Sequence, residues 1–147
     1  MFKNILVPTD GSTLSNKAAR KAALLAAKLG ARITGFHVAP AYRMNVYADY
    51  VPPDFLLPAE FKTKTKVVAQ RHLEAIKRAA AGAGVRYAGY FVNSDYAADA
   101  IVRAAKTYKC DAIVMASHGR SGLGRMLLGS ETSKVLSTSK VPVLVLR

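Results

Sequence analysis

Residues 111–132, DAIVMASHGRSGLGRMLLGSET, contain the pattern that decides the fold. The apolar run over 111–116 is typical of a strand that is buried on both faces. A glycine-rich loop over 117–129 follows it, and Ser130 begins a helix that ends near Ser139. A buried strand that leads through such a loop into a helix is the repeating unit of a parallel α/β sheet. We therefore predict an α/β domain with its ligand site at this loop.

The rest of the chain alternates between the same two periodicities, and no linker or internal repeat divides it. Strands are predicted at 3–9, 33–38, 85–92, 111–116 and 141–146, and helices at 14–29, 58–82 and 130–139, with a further helix through 101–105 that Ser94 or Asp95 caps. The order β-α-β-α-β-α-β-α-β predicts one domain over 1–147, in which helices cover both faces of a parallel sheet.

The composition excludes several classes of protein. With 51% hydrophobic and 21% charged residues, the chain has material for a core and does not resemble a disordered protein. Its apolar runs fall short of the ~20 residues that a membrane span requires, and its first residues do not form a signal peptide. The single cysteine, Cys110, excludes an internal disulfide. We expect a cytoplasmic protein without a membrane partner.

The net charge of +13 favours anionic partners. The basic residues are scattered along the sequence, and no run of five like charges marks a nucleic-acid arm. A broadly basic, solvated surface therefore explains the charge better than a nucleic-acid partner does.

Two loops are candidates for the ligand site. In a doubly wound sheet, ligands bind beyond the carboxyl ends of the strands, where the strand order reverses. For five strands the usual orders are 3-2-1-4-5 and 2-1-3-4-5, and the first places strand one beside strand four. The loops after those strands are residues 8–12, which contain Asp10, and residues 117–129. Their convergence predicts one crevice, in which Asp10 contacts a ribose, an adenine or a phosphate-bound metal. The alternative is that Asp10 and Gly11 form only an ordinary turn pair.

The second loop has the features of a phosphate site. Glycines allow backbone N–H groups to approach an anion, and the start of the following helix adds the positive end of its dipole. Ser130 and Thr132 offer hydroxyl donors, and Arg120 and Arg125 offer positive charge. The alternative is that the glycines only shape a turn and that Ser130 is an ordinary N-cap.

Fingerprints of catalytic sites are missing from this loop. A Walker A motif requires Lys and Ser or Thr after its second glycine, where this chain has Arg125 and Met126. His37 is predicted to be a partly buried structural residue and His72 a surface residue of a helix. His118 is a stronger candidate for a functional role because it lies within the glycine loop, and the alternative is that it only makes a hydrogen bond that orders the loop. We therefore expect slow nucleotide hydrolysis at most and no dedicated enzymatic activity.

Together these residues resemble the universal stress protein family over essentially the whole chain. The opening residues 3–12, the strand end 36–38 and the strand 111–115 are similar to its corresponding segments. Nucleotide-binding members carry G-x2-G-x9-G-[ST], which here aligns with Ala116, Gly119, Gly129 and Ser130. The nine-residue spacing and the final Gly-Ser match, whereas Ala116 replaces the first glycine.

The resemblance implies a Rossmann-like sheet of the adenine-nucleotide α-hydrolase type in the order 3-2-1-4-5. It also implies ATP as ligand, with or without Mg²⁺, and a homodimer that pairs through residues 141–147. Pro8, Thr9 and Asp10 would border adenine and ribose, Val38 would meet adenine, Met115 and Ala116 would flank the ribose, and Gly119, Arg120, Gly129, Ser130, Glu131 and Thr132 would hold the phosphates. The Glu131 side chain has to point away from those phosphates.

Three functions are consistent with the sequence. The first is an ATP-binding stress-response or regulatory protein. The second is a protein of the same fold that binds no nucleotide and acts through protein contacts. The third, which the scattered charges disfavour, is a basic nucleic-acid-binding module.

Overall fold

The computed structural model describes residues 1–43, 55–119 and 128–147, so most of the 40–58 connection and residues 120–127, Arg120 and Arg125 among them, lie outside the described residues. In chain order the elements are β1 (Asn4–Thr9), α1 (Thr13–Leu29), β2 (Arg32–Ala39), α2 (Pro58–Gly82), β3 (Tyr87–Asn93), α3 (Ala97–Thr107), β4 (Ala112–Ala116), α4 (Ser130–Thr138) and β5 (Val143–Leu146). They form one five-stranded sheet in the order β3-β2-β1-β4-β5, in which every pairing is parallel. The predicted fold class is thereby confirmed, and β1 lies beside β4.

The central strands are apolar on both faces because helices cover both. Every residue of β1 and of β4 is buried. Ile5 and Val7 of β1 pack with α1 and α2 in one core, while Leu6 packs with α3 and α4 in the other. Alternate residues of one strand thus supply two separate cores. The loops at the carboxyl ends of β1 and β4 are therefore held by the most buried part of the molecule.

The helix ends follow the sequence signals in part. Ser12 caps α1 by accepting a hydrogen bond from the Ser15 N–H, and Gly30 ends that helix with φ 64°. The predicted cap of α3 at Ser94 or Asp95 is wrong, because its N-cap is Tyr96. Asp95 instead accepts hydrogen bonds from the Arg43 guanidinium at 2.8 Å and the Ala41 N–H at 3.3 Å. The Arg43 contact lowers the pKa of Asp95.

Two strands begin two residues later than predicted. The Val85 N–H donates to Ala80 O and closes the end of α2, so β3 begins only at Tyr87. Pro142 has no N–H for the ladder, and β5 begins at Val143. Among the residues that the structure describes, β5 pairs with β4 alone, so it is an edge of the sheet, and Leu144 remains 45% exposed there.

Two further features of the fold concern its cysteine and the character of its helices. Cys110 is buried, and burial raises the pKa of its thiol. Within residues 1–43, 55–119 and 128–147, no helix combines the length and the apolar character that crossing a bilayer demands.

Candidate functional site

A cleft of about 360 Å³ opens at the carboxyl ends of the strands, between the loops after β1 and β4. Every predicted ligand residue that lies within the described parts of the chain lines it: Pro8, Thr9, Asp10, Val38, Met115, Ala116, Gly119, Gly129, Ser130, Glu131 and Thr132. The volume is in the range of small-molecule sites, roughly 300–1,000 Å³. The structure thus brings together residues that lie far apart in the sequence.

Hydrogen bonds between residues two positions apart fix the loop after β1. Thr9 Oγ1 accepts from the Gly11 N–H at 3.1 Å, and Asp10 Oδ1 accepts from the Ser12 N–H at 3.0 Å. Gly11 has φ +80°, a conformation that a side chain would strain. The bond from the Ser12 N–H holds one oxygen of the Asp10 carboxylate at the loop that borders the cleft.

Two histidine side chains pack against the loop after β1. His37 Nδ1 lies 2.8 Å from Thr9 O, and the ring centroid of His37 is 4.7 Å from that of His72. The His72 ring also lies against Gly11, where it occupies the space that a Cβ would need. His72 is therefore half-buried and packed against this loop, and not the simple surface residue that was predicted. His37 is structural, as predicted, but more deeply buried than expected.

The ends of the loop after β4 are joined to each other. The Gly129 N–H donates to Ser117 O at 2.8 Å, and Thr132 Oγ1 donates to Ala116 O at 3.0 Å. The second bond occupies the Thr132 hydroxyl, which corrects the expectation that this hydroxyl faces a phosphate. Thr132 is buried, so only its backbone remains suited to contact a ligand.

The N-terminus of α4 gives one end of the cleft a partial positive charge. Its N-cap is Gly129, so Ser130 is the first helical residue and the alternative that it is an ordinary N-cap is wrong. The N–H groups of the first turn have no acceptor within a helix, and they point toward its N-terminal end. That end borders the cleft, where the N–H groups and the helix dipole favour an anion.

The Glu131 side chain turns from the first turn of α4 toward α3. Its Oε2 accepts from the Ala98 N–H at 2.9 Å, and its Oε1 accepts from Lys134 Nζ at 3.1 Å. The carboxylate thereby caps α3 in place of the predicted local residue. Glu131 still lines the cleft, so its charge remains close to the site.

The cleft also contains residues that the sequence did not reveal as site residues. Phe36 of β2 and Ile101 and Ala97 of α3 add apolar surface, and Ser15 adds a hydroxyl. They lie within or next to predicted strands and helices, and no local motif distinguishes them as ligand residues. His118 lines the cleft as well, and its Nδ1 lies 3.0 Å from Ser117 Oγ, a contact of the kind expected if His118 orders the loop.

The lining of the cleft combines polar groups with apolar surface. Within the described segments, no group of three or more His, Cys, Asp or Glu side chains could hold a metal ion. Backbone N–H groups, two glycines and an apolar floor instead match a ligand that has both a flat apolar part and an anionic part.

Comparison with known proteins identifies the family. The model of the universal stress protein family matches residues 1–147. A universal stress protein of Methanocaldococcus jannaschii is 33% identical, with 100% of this chain and 83% of the relative covered. The universal stress protein YxiE of Bacillus subtilis is 34% identical, with both chains covered over 100% of their length.

Solved structures agree on the fold. A universal stress protein in complex with cAMP is 24% identical, with 99% of this chain and 97% of that chain covered and a TM-score of 0.72. The Archaeoglobus fulgidus universal stress protein in complex with dAMP is 18% identical, with coverages of 99% and 98% and a TM-score of 0.70. From the match over its whole length and from these relatives, this chain belongs to the universal stress protein family.

Proposed function

We propose that this protein binds an adenine nucleotide, ATP, in the cleft between the Asp10 loop and the start of α4. The observation that carries the proposal is the convergence of the predicted residues, from β1, β2, β4 and α4, on one cleft. The complexes of fold relatives with cAMP and dAMP support an adenine nucleotide as the class of ligand.

The two parts of the ligand have different partners in this proposal. Phe36, Val38 and Met115 offer an apolar surface for the base, and the Asp10 carboxylate accepts hydrogen bonds from ribose hydroxyls. Gly119 and the first-turn N–H groups of α4 receive the phosphates, and Gly129, whose own N–H is engaged by Ser117 O, leaves space for their approach. If Mg²⁺ accompanies ATP, Asp10 is the carboxylate placed to meet it, because Glu131 is engaged by Ala98 and Lys134.

Binding, and not rapid turnover, is the proposed role. Phosphoryl transfer requires groups that hold metal and orient the attacking water. Among the described residues of the cleft, the carboxylates are Asp10 and Glu131, and no lysine accompanies them.

We also propose that two copies pair through the exposed edge of β5, as an unpaired edge strand invites a partner strand.

Nucleotide analysis tests the proposed function directly. Purified protein is denatured and the supernatant is analysed by mass spectrometry, while stripped protein is titrated calorimetrically with ATP, ADP and AMP. We expect a retained adenine nucleotide and saturable binding with one nucleotide per chain. Absence of both would overturn the proposal, and binding of random DNA that falls steeply with salt would favour a nucleic-acid module instead.

The two small residues of the loop motif should respond differently to exchange. A Cβ at Gly119 would come within 2.6 Å of Asp10 Oδ2, so Gly119→Ala displaces the carboxylate that the ribose needs. Ala116 is the last residue of β4 and is extended, so its methyl group is compatible with the backbone. We expect Gly119→Ala to weaken ATP binding by more than tenfold, about 1.4 kcal/mol, and Ala116→Gly to change it by less.

Calorimetric titration of the two variants, each compared with the wild type, measures this difference. A gain of more than tenfold for Ala116→Gly would contradict the expectation. It would mean that the natural alanine impairs the site and that the protein acts through protein contacts without nucleotide.

A further inference from the structure

Glu131 brings a negative charge to the start of α4, where the proposed site receives the phosphates, in addition to the Asp10 carboxylate of the loop after β1. The Glu131 carboxylate arises from the first turn of α4, where the proposed phosphate donors are, and it lines the cleft. A carboxylate that was free to rotate would swing into solvent when a phosphate arrived. This one is held at both oxygens, by the Ala98 N–H at 2.9 Å and by Lys134 Nζ at 3.1 Å.

The hydrogen bond to Ala98 fixes the position of the charge relative to the cleft. Ala98 is buried in the first turn of α3, whose N-cap Tyr96 makes no side-chain capping bond. The Glu131 carboxylate therefore serves as the cap of α3 and also benefits from the positive end of that helix. Turning it away from the cleft would leave a buried N–H group without its acceptor, which is unfavourable.

The N-termini of α3 and α4 therefore have different anionic partners. The start of α3 is neutralised by Glu131, and the start of α4 remains for the ligand. A ligand that extends its phosphate chain along the cleft meets the repulsion of the fixed carboxylate. Coulomb repulsion grows with the number of charges on the ligand, so it acts more strongly on ATP than on AMP.

We infer that Glu131 is a specificity-determining residue that shifts the preference of the site toward adenine nucleotides with short phosphate chains. This inference rests on the proposed function, because it concerns the choice among adenine nucleotides. Lys134 moderates the effect, since its ammonium lies against the same carboxylate. Both side chains are partly exposed, so water screens the repulsion and the effect is one of preference and not of exclusion.

The test compares the affinities of ATP and AMP in matched variants. Glu131→Gln keeps an oxygen that can accept from the Ala98 N–H but removes the charge. Lys134→Met keeps the carboxylate but removes its counter-charge. Asp99→Asn is the control, because Asp99 is an exposed carboxylate in the first turn of α3 that does not line the cleft. The readout is the ratio of the ATP to the AMP association constant, measured by calorimetry at low salt.

We expect Glu131→Gln to raise this ratio by about three- to tenfold, Lys134→Met to lower it by about two- to fivefold, and Asp99→Asn to leave it within about twofold. A purely structural role of Glu131 would change both affinities alike and leave the ratio constant. Nucleotide binding with an unchanged ratio in Glu131→Gln, or an equal shift in Asp99→Asn, would overturn the inference and leave the proposed function standing. Failure of the wild type and all variants to bind any adenine nucleotide would overturn both.

Discussion

Replacement of Gly129 by valine should lower the affinity for ATP by at least about 100-fold, or some 2.7 kcal/mol. The Gly129 N–H closes the loop by donating to Ser117 O at 2.8 Å, and the same residue is the N-cap of α4. A Cβ at this position would lie 3.1 Å from Ser117 O and 3.4 Å from the Cα of His118. A branched side chain therefore has to extend into the cleft, where it blocks the approach of phosphates to the first-turn N–H groups.

Two further variants separate loss of binding from loss of the fold. Gly129→Ala adds a single methyl group at the same place and should have a smaller effect of the same sign. Gly82→Val tests a glycine that has no heavy atom within 4 Å of its added Cβ and should leave ATP binding unchanged. Isothermal titration measures the affinities, and thermal melting without nucleotide checks that each variant is folded. A folded Gly129→Val protein that binds ATP as the wild type does would show that the phosphate site lies elsewhere.

The order of the elements was predictable because each has a strong local signal. The strands consist of short apolar runs, and the helices begin or end at Ser12, Gly30 and Pro58, whose conformational preferences act locally. Periodicity alone left two strand orders open, since it reports the buried faces of a strand but not its neighbours. Resemblance to a family selected the order β3-β2-β1-β4-β5, which the structure confirms.

Features that depend on distant contacts could not be predicted in this way. The cap of α3 comes from Glu131, 33 positions along the chain from Ala98, and no local pattern announces such a bond. The helical pattern around His72 is that of a surface residue, and its contacts with Gly11 and His37 arise only from the tertiary fold. The two loops of the site were predictable because parallel strands direct their loops to one edge. Strand-end residues such as Val38 and Met115 were expected from the family resemblance, whereas Ile101 resembled any other core residue.

The exposed edge of β5 should pair with a second copy of the chain, and Val145→Pro should abolish that pairing. Ile113 N donates to Pro142 O and Ser117 N donates to Leu146 O, so the backbone groups of 142 and 146 face β4. In a strand these groups alternate in direction, so those of Val143 and Val145 face the open edge. Proline at 145 removes an outward N–H donor and leaves the ladder with β4 intact.

The substitution suits the local backbone, which makes its effect specific to pairing. The residue before a proline is confined to extended conformations, and Leu144 is already extended within β5. Val145→Thr keeps both the β-branched shape and the N–H, so it is the matched control and should still dimerise. Sedimentation or light scattering at micromolar concentration should give about twice the chain mass of 15.8 kDa for the wild type and the threonine variant, and the single mass for the proline variant. A wild type of single mass would refute the dimer, whereas a dimeric Val145→Pro protein would place the interface on another surface, because an edge without its donor cannot complete the strand pairing.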